Sequence, residues 1–135
     1  MYIYRQRITI IKHKRPSDND INKQLQWLGS SLGLFGLRDK DKSCFRIFIE
    51  LIKASKEKKL LSSDELAEIA HLSRGTVVHH LNKMIDAGLI INHKNKYLLR
   101  VENLKMLVDE IQKDLKKTMK DLKEVAEQID ESLQI

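Results

Sequence analysis

The sequence predicts a mainly helical fold with a small β component: an N-terminal strand and helix, a central helix–turn–helix–hairpin, and one long C-terminal helix. Three observations carry this. Five glycines and one proline in 135 residues leave few interruptions to helix. Ser62 to Val101 runs through a capped helix, a short turn, a second helix closed by glycine, and a hairpin. Glu102 to Ile135 holds neither glycine nor proline and repeats its apolar residues in heptads. The divisions fall at residues 1–36, 37–101 and 102–135, and a chain of this length supports one core rather than two.

Tyr2 to Lys14 reads as a strand, with Tyr2, Tyr4, Ile8 and Ile10 on one face and Arg5, Arg7 and Thr9 on the other. No hairpin turn follows, so its partner is distant in sequence or on another chain. Ser17 or Asp18 then caps a helix whose apolar positions are Ile21, Leu25, Leu28, Leu32 and Phe35, with Trp27 in the core or a dimer interface. Gly29, Gly33 and Gly36 weaken its second half. Asp39 or Asp41 restarts the chain into a helix over Lys42–Lys56. Cys44, Phe45, Ile47, Phe48, Ile49, Leu51 and Ile52 make that helix apolar nearly all round, as a central core helix is. Ser62 and Glu65 match the S-x-x-E capping box, opening a short helix with Leu66, Ala67, Ile69 and Ala70 inward. Leu72-Ser73 makes the turn, Ser73 caps a helix over Arg74–Ala87, and Gly88 ends it. Leu89–Asn92 and Lys96–Val101 form a hairpin around His93-Lys94-Asn95. This order of elements is a winged helix-turn-helix core.

The tail is a dimerisation helix. Val108, Leu115, Leu122 and Ile129 repeat in one register, and Leu104, Ile111, Thr118, Val125 and Ser132 in the other, with Leu107, Met119, Ala126 and Leu133 widening the stripe. A helix of roughly 33 residues cannot bury its seam on so small a domain. A second copy of the chain is the simplest cover.

Net charge is +6 and it is segregated. Residues 1–16 hold five basic side chains and no acid; residues 73–100 hold five (Arg74, Lys83, Lys94, Lys96, Arg100) against Asp86; residues 101–135 hold six lysines against nine acids. Such a split favours a polyanion partner. No apolar run reaches a membrane span and the start does not read as a signal peptide, so no membrane partner is expected and the cytoplasm is the expected location. The lone Cys44 excludes an internal disulfide and reads as a core residue. His79 and His80 are adjacent and diverge on a helix, so no metal site is expected from the five histidines. No phosphate loop, nucleophile elbow or clustered acid–base set suggests an enzyme, and no cofactor is expected.

On a helical wheel Val77, Leu81 and Met84 fall to one side, and Gly75, Thr76, His79, Asn82 and Lys83 to the other, with Arg74 at the edge. Arg74 suits guanine, Asn82 suits adenine, Thr76 and His79 suit base edges or phosphate, and Gly75 clears space for the duplex. Lys94, Lys96 and Arg100 of the hairpin suit phosphate. Ala67 to Ile90, AEIAHLSRGTVVHHLNKMIDAGLI, resembles the reader segment of winged-helix regulators of the ArsR, MarR and TrmB-like groups, archaeal members especially. The pairs Leu72-Ser73, Thr76-Val77, His80-Leu81 and Gly88-Leu89 carry the likeness. It implies homodimers on near-palindromic double-stranded operator DNA, with the hairpin along the backbone or minor groove. The expected function is a sequence-specific transcriptional regulator, acting as a homodimeric repressor. The rival is a winged-helix protein–protein module scaffolded by a coiled coil, which would not need so basic a reader and hairpin. The N-terminal strand is a DNA arm or, as its apolar face favours, an element exchanged between subunits. The helix at residues 18–36 leaves room for a small apolar effector.

Overall fold

The structure, a computed structural model, describes residues 5–35 and 42–135. Among the described residues, five helices and three short strands follow in the order α1 (Ile21–Ser31), α2 (Ser43–Lys56), β1 (Leu61–Ser62), α3 (Ser63–Ala70), α4 (Arg74–Asp86), β2 (Ile90–His93), β3 (Lys96–Leu99) and α5 (Leu104–Leu133). The strands form one antiparallel sheet in the order β1-β3-β2. This is the winged helix-turn-helix: α3 and α4 the paired helices, β2–β3 the wing.

Local chemistry explains why the elements start and stop there. The Ser62 hydroxyl accepts from the Glu65 amide, and the Glu65 carboxylate accepts from the Ser62 amide, both at 3.1 Å, so the capping box closes α3. The hydrogen bond from the Ser62 amide first, and the Ser62 hydroxyl beside it, hold the Glu65 carboxyl below its ordinary value. Ser73 accepts from the Thr76 amide to open α4. At its far end Gly88 adopts φ 78°, which lets the Gly88 and Leu89 amides return to the Ile85 and Met84 carbonyls. The wing turns through Lys94 and Asn95, both left-handed (φ 53° and 63°), so the two-residue turn matches the strands' twist.

One core serves all three segments of the chain. Ile47, Phe48 and Leu51 of α2 sit at its centre, with Leu66, Val77, Leu81, Met84, Ile90 and Leu99 around them, Leu34 from before α2 and Leu107 and Ile111 from α5. Cys44 is wholly buried among them. Beneath α4, the Ser43 hydroxyl meets His80 Nε2 at 2.8 Å, a polar contact inside the apolar layer. Arg46 donates to the Ala70 carbonyl and so closes the end of α3.

Several expectations need correction. Residues 5–16 form no strand; Tyr2 and Tyr4, Gly36 and the restart at Asp39 or Asp41 lie outside the described residues. The donors that a strand would give to a ladder go instead to the carbonyls at helix ends, which are open acceptors. Arg7 N–H donates to the Asp86 carbonyl of α4 and Ile11 N–H to the Ser31 carbonyl of α1, each at 2.8 Å. Gln6 Nε2 donates to the Ala87 carbonyl at 3.1 Å. Ile8 faces inward as expected, but Ile10 is exposed and Thr9, expected on the opposite face, is half-buried, so the alternation does not continue. α1 is capped by Asp20 rather than Ser17 or Asp18, and stops at Ser31 because Gly33 (φ 76°) turns the chain. Ile21 is exposed, and Trp27 is only half-buried, its indole N–H on the His13 carbonyl at 3.3 Å. The two-residue β1 had no sequence signal.

α5 has 30 residues and is about 45 Å long. Of its expected dimer positions, Ile111 is buried in this chain's own core and Leu104 packs against that core, while Leu115 is half-buried. Val108, Leu122, Val125 and Ile129 are exposed. Val108 lies within the first two turns but to the side of the face that Leu107 and Ile111 bury; for Leu122, Val125 and Ile129 the reason is length, because the domain covers the first turns of α5 and then ends.

Candidate nucleic-acid interface

The reader helix is set by its buried side. Val77, Leu81 and Met84 have no exposed surface. Their burial fixes the rotation of α4 and turns Arg74, Gly75, His79, Asn82 and Lys83 outward, all of them exposed. A Cβ at Gly75 would meet nothing within 4 Å, so the glycine leaves open space above the first turn. Thr76 is half-buried. Its hydroxyl accepts from the Ser73 hydroxyl at 2.8 Å, which leaves its own proton for an outside acceptor. Arg74 Nε stands 3.4 Å from the Asp64 carboxylate of α3, both side chains well exposed. An exposed pair of this kind contributes little and yields to a stronger anion.

Lys94 at the tip of the wing and Lys96 beside it are exposed. The positive φ at Lys94 and Asn95, with the Asn95 amide donating to Asn92 Oδ1 at 2.9 Å, holds that tip in shape. Eight residues singled out in the sequence therefore lie on two neighbouring elements, α4 and the wing.

Arg100 does not join them. It is 13% exposed and pairs with Asp114, and at 3.6 Å with Glu110, both on α5. Asp114 also accepts from Gln6 Nε2 at 2.9 Å. Burial pushes the Asp114 carboxyl up; the hydrogen bonds from Arg100 and Gln6 and the charges of Arg100 and Lys117 outweigh it and hold the group below its ordinary value. Donating to Asp114 is in turn the chief cause that raises the Arg100 guanidinium. A basic residue at the end of the wing reads as a phosphate contact in sequence, but its partner 14 residues on takes it inward.

The structure adds to the site the loop after α1, to which the sequence did not point, and Arg7 and Thr9 from the basic face of the N-terminal segment. A groove of about 320 Å³ runs along the exposed side of α4, lined by His79, Asn82, Lys83 and Asp86 on one wall. Arg7 and Thr9 of the N-terminal segment and Leu32, Gly33 and Leu34 after α1 form the other. Among the described residues no group of three or more His, Cys, Asp or Glu is placed to hold a metal ion. No helix there is long and apolar enough to cross a membrane.

No curated protein and no solved structure matches the chain. Residues 50–92 match the family model described as bacterial regulatory protein, arsR family. That match runs from the second half of α2 through β1, α3 and α4 into β2, the segment that carries and orients the exposed polar face. It supports a winged-helix regulator of the ArsR type, and with it a DNA-binding transcriptional regulator.

Proposed function

We propose that this chain is a homodimeric, sequence-specific repressor that lays α4 in the major groove of double-stranded operator DNA. The carrying observation is the division of α4: Val77, Leu81 and Met84 fully buried, and Arg74, Gly75, His79, Asn82 and Lys83 exposed on the other side. A major groove about 12 Å wide admits such a helix. Arg74 reads guanine and Asn82 adenine, His79 and Thr76 reach base edges or phosphate, Lys83 lies along the strand, and Lys94 and Lys96 rest on the adjoining backbone. The likeness of the reader segment to MarR and TrmB-like regulators, archaeal members especially, belongs to the same reading. The distal half of α5 supplies the dimer contact through Leu122, Val125 and Ile129, and the cytoplasm is the location this role requires.

Binding to random and selected duplexes at two salt concentrations tests it. Arg74→Ala removes about 1–3 kcal/mol of discrimination at one base per half-site. Lys96→Ala weakens every duplex alike and lowers the salt slope by about 0.9 per bound chain. Half-sites are centred about 10 base pairs or a multiple apart. No detectable affinity for any duplex at low salt would instead favour a protein-docking role for the winged helix.

A further inference from the structure

The N-terminal segment lies beside the reader helix, and it is fastened there. Arg7 N–H is bound to the last carbonyl of α4, and Gln6 reaches both the Ala87 carbonyl and the Asp114 carboxylate of α5. Further along, Ile11 is bound to the end of α1 and the His13 carbonyl takes the indole of Trp27. Two glycines make the approach close enough. A Cβ on Gly88 would stand 2.2 Å from Gln6 Nε2, and one on Gly33 would stand 2.6 Å from Thr9 Cγ2. Both glycines also have positive φ, so neither position accepts a side chain without strain. The inward groups of the segment are thus Gln6, Ile8 and Thr9.

What remains outward is cationic. Residues 5–16 carry Arg5, Arg7, Lys12, Lys14 and Arg15 and no acid. All five are exposed. Arg7 shares the groove with His79, Asn82 and Lys83, the same residues that form the open side of α4. Asp86 is the one acid among the described residues lining that groove. No carboxylate among the described residues lies within ion-pair distance of Arg5 or Arg7. If these arginines only blunted a free sheet edge, there would be an edge; the segment makes no ladder, and its backbone donors end on helices.

We infer that residues 5–15 are a basic arm, anchored in cis between α4 and α5, that carries Arg5 and Arg7 onto the phosphate backbone of the duplex flanking the reader helix. This rests on the DNA reading of α4. It adds to that reading a contact from outside the helix-turn-helix, one that positions the protein on the duplex without selecting bases.

The test is a salt titration of binding to one duplex, with the unaltered chain, an Arg5→Ala/Arg7→Ala variant, an Arg5→Lys/Arg7→Lys variant, and Lys96→Ala alongside. Each lost phosphate contact lowers the slope of log affinity against log salt by about 0.9, so the double alanine variant falls by about 1.8 per bound chain. The lysine pair keeps the slope of the unaltered chain, because a phosphate contact needs charge rather than the guanidinium fork. Both side chains are exposed and the anchoring bonds use the backbone and Gln6, so the thermal midpoint stays where it was. An unchanged slope in the alanine variant overturns the arm while Lys96→Ala still lowers its own slope and preserves the DNA reading. Tighter binding by the alanine variant overturns it too, since the arm would then be masking α4. If the unaltered chain binds no duplex, the DNA reading fails first and Lys96→Ala has no slope to lower.

Discussion

The two halves of α5 have the same kind of sequence and opposite surroundings. In the first, Leu107 and Ile111 are buried in the core, and Asp114 and Glu110 engage Arg100 of the wing. In the second, from residue 116 to the end, every residue is exposed, and Met119, Leu122, Val125, Ile129 and Leu133 form an uncovered apolar stripe. A heptad pattern records that a face needs burial; it does not record by what. Near the domain the cover is the chain itself, and beyond it the apolar stripe has the heptad spacing of the dimer contact proposed above.

The comparison can be broken at its strong end. Leu107→Ala opens a cavity in the core and should cost about 2–5 kcal/mol in urea unfolding. A loss below about 1 kcal/mol would mean that the first half is no better seated than the second. Next comes the ion pair. Asp114→Asn takes from largely buried Arg100 the nearer of its two carboxylates, leaving only Glu110 at 3.6 Å, and should cost about 1–3 kcal/mol. The sign with pH is fixed by the lowered carboxyl. The contribution of Asp114 is present above its unfolded value near 3.8 and fades as pH falls through its lower folded value. The variant should therefore lose less stability on acidification than the unaltered chain; an identical acid limb would contradict the pairing.

The smallest effect on the domain comes from the far half. Leu122→Lys with Val125→Lys changes two exposed positions and should shift the domain's own unfolding by less than about 0.5 kcal/mol. Sedimentation should nonetheless show the mass falling from two chains to one, because paired lysines would face their copies across the seam. A mass of two chains in the variant would place the dimer contact elsewhere on the molecule.

The central elements were legible because their signals are local. Ser62 with Glu65, Ser73 with Thr76, and Gly88 each write a helix end within four residues, and the wheel of α4 separates Val77, Leu81 and Met84 from the polar side without knowledge of the rest. The N-terminal segment was misread for the opposite reason. Its alternation is genuine, but its bonds go to residues 86, 87, 31 and 114, and nothing near Gln6 announces a glutamine that bridges two helices. Arg100 looked like a wing phosphate contact until Asp114 stood beside it. The division of α5 depends on where the domain surface ends, a property of the packed molecule rather than of the repeat.

The knot of Gln6, Arg100 and Asp114 gives α5 a fulcrum. From Asp114 to Leu133 the helix projects about 29 Å, as a stiff rod. Moving its tip by about 5 Å rotates it by about 10° at Asp114, on a rod of that length. Asp114 is bonded there to the root of the wing through Arg100 and to the N-terminal segment through Gln6. The point where the rod leaves the domain is thus also the point where wing, N-terminal segment and α5 are bonded to one another.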